Sequence, residues 1–185
     1  YVGFNSWKHN LQTGWEWDLD RFSMNYFFHP FQGSMYFNSA RANGYSFFES
    51  VPFAVLGSLE WEYFGENTLP SYNDLINTPV NGVFLGEILY RLGSNILDDQ
   101  TTGADRLFRE MAVATMTPTR FISRLMQGKL TRLTQEEVYQ KEPLNITLSA
   151  GYHRVNEGRI ADQSSTNSLN FNFHFDYGNP FENRS

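Results

Sequence analysis

The chain has 185 residues, a length that suits one domain or at most two. Hydrophobic residues make up 41% and aromatic residues 17%, and this much apolar material excludes an intrinsically disordered chain. The net charge of −6 argues against a protein that binds nucleic acid. Cysteine is absent, which excludes disulfides, zinc–thiolate sites and a cysteine nucleophile.

The N-terminal region, residues 1–28, predicts β-strands. Residues 15–20 alternate large apolar with acidic side chains, and in residues 22–28 every second side chain, from Phe22 to Phe28, is large and apolar. The phase of the alternation changes once between Leu19 and Phe22, as a bulge or a tight turn would require. No stretch of about 18 uncharged apolar residues occurs, which argues against an ordinary transmembrane helix.

The middle region, residues 29–142, predicts three to four helices. Proline after His29, serine before acidic residues and glycine at the ends mark their boundaries. Pro79 predicts either a kink or a second helix start, with Thr78 as its cap. The expected helical segments are 30–42, 46–65, 71–98 and 104–116, the last restarting as 118–127.

The C-terminal region, residues 143–185, predicts a β-hairpin. Residues 168–178 place four aromatic side chains and a leucine on one face and polar side chains on the other, and residues 145–153 alternate similarly. A long polar loop, residues 156–167, is expected between them. Such strands are typical either of an outer-membrane β-barrel or of a soluble sheet packed on helices, and the bulk of the apolar face favours the barrel.

Charged residues lie in or beside the apolar helical segments. Because burying a lone charge is costly, these groups should pair with one another or face water. If these charges form a structural network, we expect ion pairs such as Arg41 with Glu60, or Arg91 with Glu87. If they line a polar pocket, we expect a carboxylate of raised pKa that acts as a general acid or base.

Residues 104–142 are basic, with a net charge of +2 against −7 for residues 1–103. The stretch indicates either a solvated helix face or a surface that meets anionic lipid head groups or lipopolysaccharide phosphate. Its cations include Arg106, Arg109, Arg120, Arg124, Lys129 and Arg132.

Residues 15–127 contain many short motifs, among them His29-Pro30, Ala40-Arg41, Trp61-Glu62-Tyr63, Asn73-Asp74-Leu75-Ile76 and Gly86-Glu87. Through these motifs the chain resembles a bacterial family of unknown function, the one numbered 3943. The resemblance implies an exported envelope protein of Gram-negative bacteria and supplies no activity.

The chain also resembles VanZ-like membrane domains, whose pattern has a histidine, an arginine, a glutamate and then Asp-x-x-x-Asn-x-x-Gly. His29, Arg41 and Glu60 or Glu62 fill the first places. Asp74, Thr78 and Gly82 fill the last, with threonine where asparagine is expected.

We predict an α+β chain with antiparallel strands of outer-membrane β-barrel type at both ends and a helical segment between them. Three hypotheses about its function follow. The first, which we adopt, is a non-enzymatic protein of the bacterial outer membrane whose helices plug a β-barrel. This chain has too few strands to close a barrel alone, so it is either a piece of a larger barrel or a sheet completed by a partner. Its expected partners are membrane lipid or lipopolysaccharide and other envelope proteins, without nucleic acid, cofactor or metal.

The second hypothesis is an outer-membrane enzyme that acts on lipid or lipopolysaccharide. His29 or Glu60 would be the acid or base, Asp74 would orient it, and Arg41 would clamp a phosphate or an oxyanion. The candidate catalytic residues are His29, Glu60 and Asp74, and the candidate ligand-binding residues are Arg41, Glu66 and Glu87.

The third hypothesis is a soluble periplasmic α+β domain that binds sugars on aromatic platforms. The candidate platforms are Trp7, Trp15, Trp17 and Trp61.

Overall fold

The computed structural model describes residues 1–17, 19–159 and 162–178 and shows an α+β chain. It forms two compact units: residues 1–140, here the helical unit, and residues 141–185, here the hairpin unit. The described helices are α1 (Phe4–Thr13), α2 (His29–Arg41), α3 (Phe47–Glu60), α4 (Tyr72–Ile96), α5 (Gly103–Met116) and α6 (Pro118–Met126). Two π-helical segments, Met24–Phe28 and Trp61–Gly65, adjoin α2 and α3.

The strands predicted within residues 1–28 are wrong. Residues 4–13 form α1, and residues 22–28 are helical and lead directly into α2. An alternating pattern also places apolar residues four positions apart, and residues four apart share one face of a helix. Phe22 and Tyr26 are such a pair, and their rings stack with centroids 4.2 Å apart. Only a single parallel bridge, between Glu16 and Ser71, gives the stretch before Phe22 any strand character in the described residues.

The π-helical segment before α2 has a local cause in the sequence. Pro30 lacks an N–H, and in a regular α-helix its ring clashes with the carbonyl four residues earlier, that of Tyr26. A wider π turn gives the ring room without ending the helix. His29 is therefore held inside a continuous helical backbone, and its side chain is buried.

The helix starts in the middle region follow their caps. The hydroxyl oxygens of Ser46 and Ser71 accept from the backbone N–H of Glu49 and Asp74, respectively, and begin α3 and α4 as predicted. The second start at Pro79 is wrong, because α4 continues through it while packed against α2 and α3. The count of three to four helices is also wrong, since five of the described helices lie within residues 29–142.

Helices α2 and α4 run parallel along a close seam. Contacts pair His29 with Asp74, Gly33 with Thr78 and Gly82, and Arg41 with Glu87 in the same order along both helices. A Cβ at Gly33 would lie 1.9 Å from the carbonyl oxygen of Thr78, and a Cβ at Gly82 would lie 2.5 Å from Gly33. Glycine is therefore required on both sides of the seam.

The helical unit has an unusual distribution of polarity. The small apolar cluster at its centre is formed by Phe37, Ala54 and Val83, with Phe47 and Val51 against it. Charged groups are buried in the same unit, whereas large apolar side chains on the outer faces of its helices are exposed. The exposed set includes Phe48, Leu56, Ile76, Val80, Phe84, Ile88, Leu107, Phe108, Ile122, Leu125 and Met126.

Among the described helices, none is both long enough and apolar enough to cross a membrane.

The hairpin unit contains β1 (Leu144–Arg159) and β2 (Asp162–Tyr177), paired antiparallel. The predicted polar loop over residues 156–167 is wrong, because the ladder continues to the pair Arg159 and Asp162. The register places Leu148 opposite Phe173 and Ala150 opposite Phe171, so the apolar residues of both strands share one face. That face is exposed, with Phe171 at 72% and Phe173 at 67%. The described strands form a two-stranded sheet.

Candidate functional site

One buried polar cluster, here the histidine centre, consists of Asp20, His29 and Asp74. His29 starts α2, and Asp74 lies in the first turn of α4. Asp20 lies just before the helical residues 22–28 that lead into α2. The Nε2 atom of His29 lies 3.4 Å from Oδ2 of Asp20 and 3.5 Å from Oδ1 of Asp74. The side chains of His29 and Asp74 are almost fully buried, whereas that of Asp20 is partly exposed.

Burial and charge act in opposite directions on Asp74. Desolvation raises the pKa of its carboxyl above the ordinary value, and the nearby charge of Asp20 raises it further. A hydrogen bond with Ser71 and the charge of His29 oppose this rise without cancelling it. One turn along the same face of α4, the buried hydroxyl of Thr78 has no hydrogen-bond partner among the described residues.

The histidine centre can perform two kinds of chemistry. A histidine between two carboxylates can move a proton, with one carboxylate orienting the imidazole. The same three residues each offer one ligand atom, and these atoms lie within 4.8 Å of one another, so the centre could also hold a divalent metal ion. The sequence predicted His29 and Asp74 as site residues but not Asp20, which lies in the region predicted to be strand.

The other predicted site residues are placed elsewhere. Glu60 is exposed at the end of α3, and the predicted Arg41–Glu60 pair is wrong because Arg41 binds Glu87 through two hydrogen bonds of 2.9 and 3.1 Å. The predicted pair of Arg91 with Glu87 is present at 2.6 Å. Two further glutamates have local roles, since Glu62 accepts from the backbone N–H of Ser71 and Glu66 from the indole of Trp61.

The four tryptophans are engaged within the chain. The indoles of Trp7, Trp15 and Trp61 donate to the carbonyl of Phe64, the hydroxyl of Tyr63 and the carboxylate of Glu66, respectively. Trp17 is 70% exposed and packs at a tilt against Tyr72.

A second buried cluster, here the arginine centre, joins α5 and α6. It consists of Asp99, Arg106, Glu110, Arg124 and Tyr139. Arg124 lies 2.8 Å from Asp99 and 2.6 Å from Glu110, and Arg106 lies 2.8 Å from Asp99 and 3.1 Å from Glu110. Two guanidinium groups therefore share two carboxylates.

Hydrogen bonds complete the arginine centre. The hydroxyl of Tyr139 donates to Asp99 at 2.9 Å and accepts from Arg124. Burial alone would lower the pKa of Arg124, but its hydrogen bonds to Glu110 and Asp99 raise it above the ordinary value. Burial is also the main cause that raises the pKa of Tyr139. The expectation of a solvated helix face is wrong for Arg106, Arg120 and Arg124, because these residues are buried inside the helical unit.

A cavity of about 420 Å³ borders the arginine centre. One acidic residue, Asp99, contributes to its lining, together with the rings of Tyr90 and Tyr139. Five cationic residues also line it: Arg41, Arg120, Arg124, Lys129 and Arg132. This cationic cavity was not predicted, although the basic composition of residues 104–142 was a signal for four of its five cations.

A family model described as a domain of unknown function, DUF3943, matches residues 14–119, more than half of the chain. The match covers the histidine centre, Arg41 and Glu87, and it ends one residue before Arg120. No curated protein and no solved structure matches the chain.

Proposed function

We propose that this chain, a member of the DUF3943 family, is an envelope protein whose helical unit is embedded in lipid. The observation that carries the proposal is the inverted polarity of that unit. On α6, Arg120 and Arg124 are buried while Ile122, Leu125 and Met126 are exposed. A helix that contacts water instead buries its apolar face and exposes its charged face.

The same inversion holds for the neighbouring helices. On α5, Arg106 and Glu110 are buried, whereas Leu107, Phe108 and Met111 are at least half exposed. An exposed apolar surface that extends over several helices is unusual for a soluble monomer and is expected of a surface that contacts lipid.

The way α2 and α4 pack also supports lipid contact. Their seam is built from glycines and buried hydrogen bonds, including one from the amide of Asn38 to the carbonyl of Gly86 at 3.1 Å. In lipid the hydrophobic effect does not drive helices together, and close contact of small residues with polar links takes its place.

The hairpin unit fits the same environment. Its apolar face is exposed, and alternation between an apolar and a polar face is the pattern of transmembrane strands. The proposal places it in the bacterial outer membrane, as part of a sheet that further strands would have to close.

Vesicle flotation tests this proposal. The full chain is mixed with phosphatidylcholine vesicles, washed in about 1 M salt to remove electrostatic contacts, and floated on a density gradient. We expect it to float with the vesicles. The exposed side chains of Phe84 and Ile88 on α4 supply the matched variants.

Replacing both residues by glutamine, F84Q with I88Q, should reduce flotation, because two apolar groups leave the lipid. The apolar pair F84L with I88V is the control and should float like the parent chain. A full chain that stays in the aqueous fraction without detergent would contradict the proposal and favour a periplasmic binding domain.

A second candidate function is an enzyme that acts on envelope lipid. The specific observation in its favour is the buried contact between His29 and Asp74, which suits proton transfer. Envelope lipids of a strain carrying His29→Ala should then change in the same way as those of a deletion strain. Glu60→Gln is the control, because Glu60 is exposed and lies outside the histidine centre. Unchanged lipids with His29→Ala beside an altered deletion strain would exclude this activity.

A further inference from the structure

The charges that line the cationic cavity are unevenly neutralised. Arg41 is paired with Glu87, and Arg124 is paired with Asp99 and Glu110. Arg120 is different, because the hydrogen bonds of its guanidinium go to neutral acceptors, the carbonyl of Tyr90 at 2.6 Å and the hydroxyl of Ser94 at 3.0 Å. No carboxylate of the described residues forms an ion pair with it.

Arg120 is nevertheless almost completely buried, with 4% of its surface exposed. Desolvation lowers the pKa of this guanidinium, and the neighbouring charges of Arg124 and Arg41 act in the same direction. A buried cation with neutral partners is costly to the fold unless an anion compensates it.

Aromatic rings hold the cations in place. The guanidinium carbons of Arg41 and Arg120 lie 4.2 and 4.3 Å from the ring centroid of Tyr90. Tyr139 lies near Arg120 and Arg124, with ring-centroid distances of 5.7 and 5.4 Å. Cations fixed in this way lose little conformational freedom when a ligand binds.

Two further cations extend the lining toward solvent. Arg132 is exposed and Lys129 is half-buried, and both line the cavity together with Arg120. The cavity of about 420 Å³ is larger than one phosphate needs and has room for an attached glycerol or sugar.

We propose that the cationic cavity binds a phosphate group, with Arg120, Lys129 and Arg132 as its principal contacts. Planar guanidinium groups match the oxygens of phosphate in paired hydrogen bonds, and lysine adds a mobile charge. The phosphate belongs either to a lipid head group or to a free phosphate. The lipid source rests on the proposed function above, whereas phosphate binding itself does not.

The test measures binding by titration calorimetry on the full chain in a non-ionic maltoside micelle, which contains no phosphate. One arm uses inorganic phosphate and the other uses short-chain dihexanoyl phosphatidic acid. We expect both to bind, and phosphatidic acid to bind at least about tenfold more tightly if the natural ligand is a lipid. Equal affinity in the two arms would identify free phosphate as the ligand.

The variant K129Q with R132Q removes two cations at partly or fully exposed positions and leaves the buried network of Arg120 intact. It should weaken binding in both arms by about tenfold or more, since each charged hydrogen bond to phosphate is a strong one. The control, K8Q with R21Q, removes the same charge from exposed positions outside the cavity and should bind like the parent chain.

Two results would overturn the proposal. One is the absence of binding in both arms at ligand concentrations up to about 10 mM, where a millimolar site would be visible. The other is equal affinity for the K129Q/R132Q variant and its control, which would show only general attraction of anions. The flotation experiment includes a wash in about 1 M salt, which screens contacts between the cavity and the phosphate of phosphatidylcholine. A failure of phosphate binding is therefore distinguishable from a failure of the lipid-embedding proposal.

Discussion

Glu110 lies between two buried guanidinium groups, and its removal should be far more damaging than the loss of a surface charge. In Glu110→Ala, Arg106 and Arg124 would share Asp99 alone. Breaking such a buried network leaves an uncompensated charge, so we expect a loss of about 3–5 kcal/mol in the free energy of unfolding. Denaturant titration followed by circular dichroism measures it.

The control for this prediction is Asp105→Ala, on the same helix. Asp105 pairs with Arg109 at 3.1 Å, but both side chains are substantially exposed. Its loss should cost less than about 1 kcal/mol, because exposed pairs are screened by water. Equal losses for the two variants would show that the arginine centre does not stabilise the fold.

Asp74 should make stability depend on pH in an unusual direction. Because burial raises the pKa of its carboxyl, the ionised form destabilises the fold above that pKa, and the penalty fades as pH falls through it. The neutral variant Asp74→Asn should therefore be more stable than the parent at pH 7. The difference should shrink on acidification, as measured by denaturant titrations between about pH 7 and pH 3.

Glu49 supplies a comparison of opposite sign. Its hydrogen bond from the backbone N–H of Ser46 lowers the pKa of its carboxyl, so the ionised form stabilises the fold and this contribution is lost as pH falls through the lowered pKa. Glu49→Gln should be less stable than the parent at pH 7, with the difference vanishing in acid. If both variants differed from the parent in stability with the same sign and the same pH dependence, the direction of the pKa shift inferred for one of the two carboxyls would be wrong.

Single residues were predictable where their local pattern was unambiguous. Ser71 and Asp74 have the spacing of a helix cap, and the cap forms. The i,i+4 spacing of Glu87 and Arg91 also specifies their ion pair. The contact of His29 with Asp74 joins residues 45 positions apart, and its geometry depends on how α2 packs against α4. No local pattern specifies such a contact.

At the scale of elements, the seam between α2 and α4 should tolerate no side chain at Gly82. A Cβ there would lie 2.5 Å from the backbone of Gly33, so Gly82→Ala must separate the two helices. We expect a loss of about 3 kcal/mol or more in the free energy of unfolding, at the upper end of overpacking effects. Thermal unfolding followed by circular dichroism measures the loss.

Gly3→Ala is the matched control, because the space around Gly3 is open and its backbone is extended. It should change stability by no more than about 0.5 kcal/mol. A Gly82→Ala variant as stable as this control would show that α2 and α4 are not in close contact.

The sequence predicted helices better than strands for a physical reason. Helix starts carry side-chain caps, which act within four residues and can be recognised locally. The apolar side chains of residues 22–28 fit both the alternating pattern of a strand and the four-residue spacing of a helix face. The segment is helical because it continues directly into α2. In the hairpin unit, the register of β1 and β2 extends the strands through residues whose composition is that of a loop.

At the scale of the whole molecule, the sequence predicted buried charge but not its arrangement. Apolar content of 41% would normally build a core, yet large apolar side chains lie outside and ion pairs lie inside the helical unit. Composition does not specify which face of a helix points inward. The amphipathic pattern of α6 is equally strong in either orientation, and the pairing of Arg124 with Asp99 and Glu110 fixes it.

The division into two units predicts that the helical unit folds without the hairpin unit. All four tryptophans lie within residues 1–140, so tryptophan fluorescence reports on that unit alone. A chain ending at residue 140 should unfold in denaturant with the same midpoint as the full chain, within about 0.5 kcal/mol of stability. An isolated two-stranded hairpin is marginal in water, so residues 141–185 alone should show little strand signal by circular dichroism. A large loss of stability in the shortened chain would instead show that the helical unit depends on the hairpin unit for its fold.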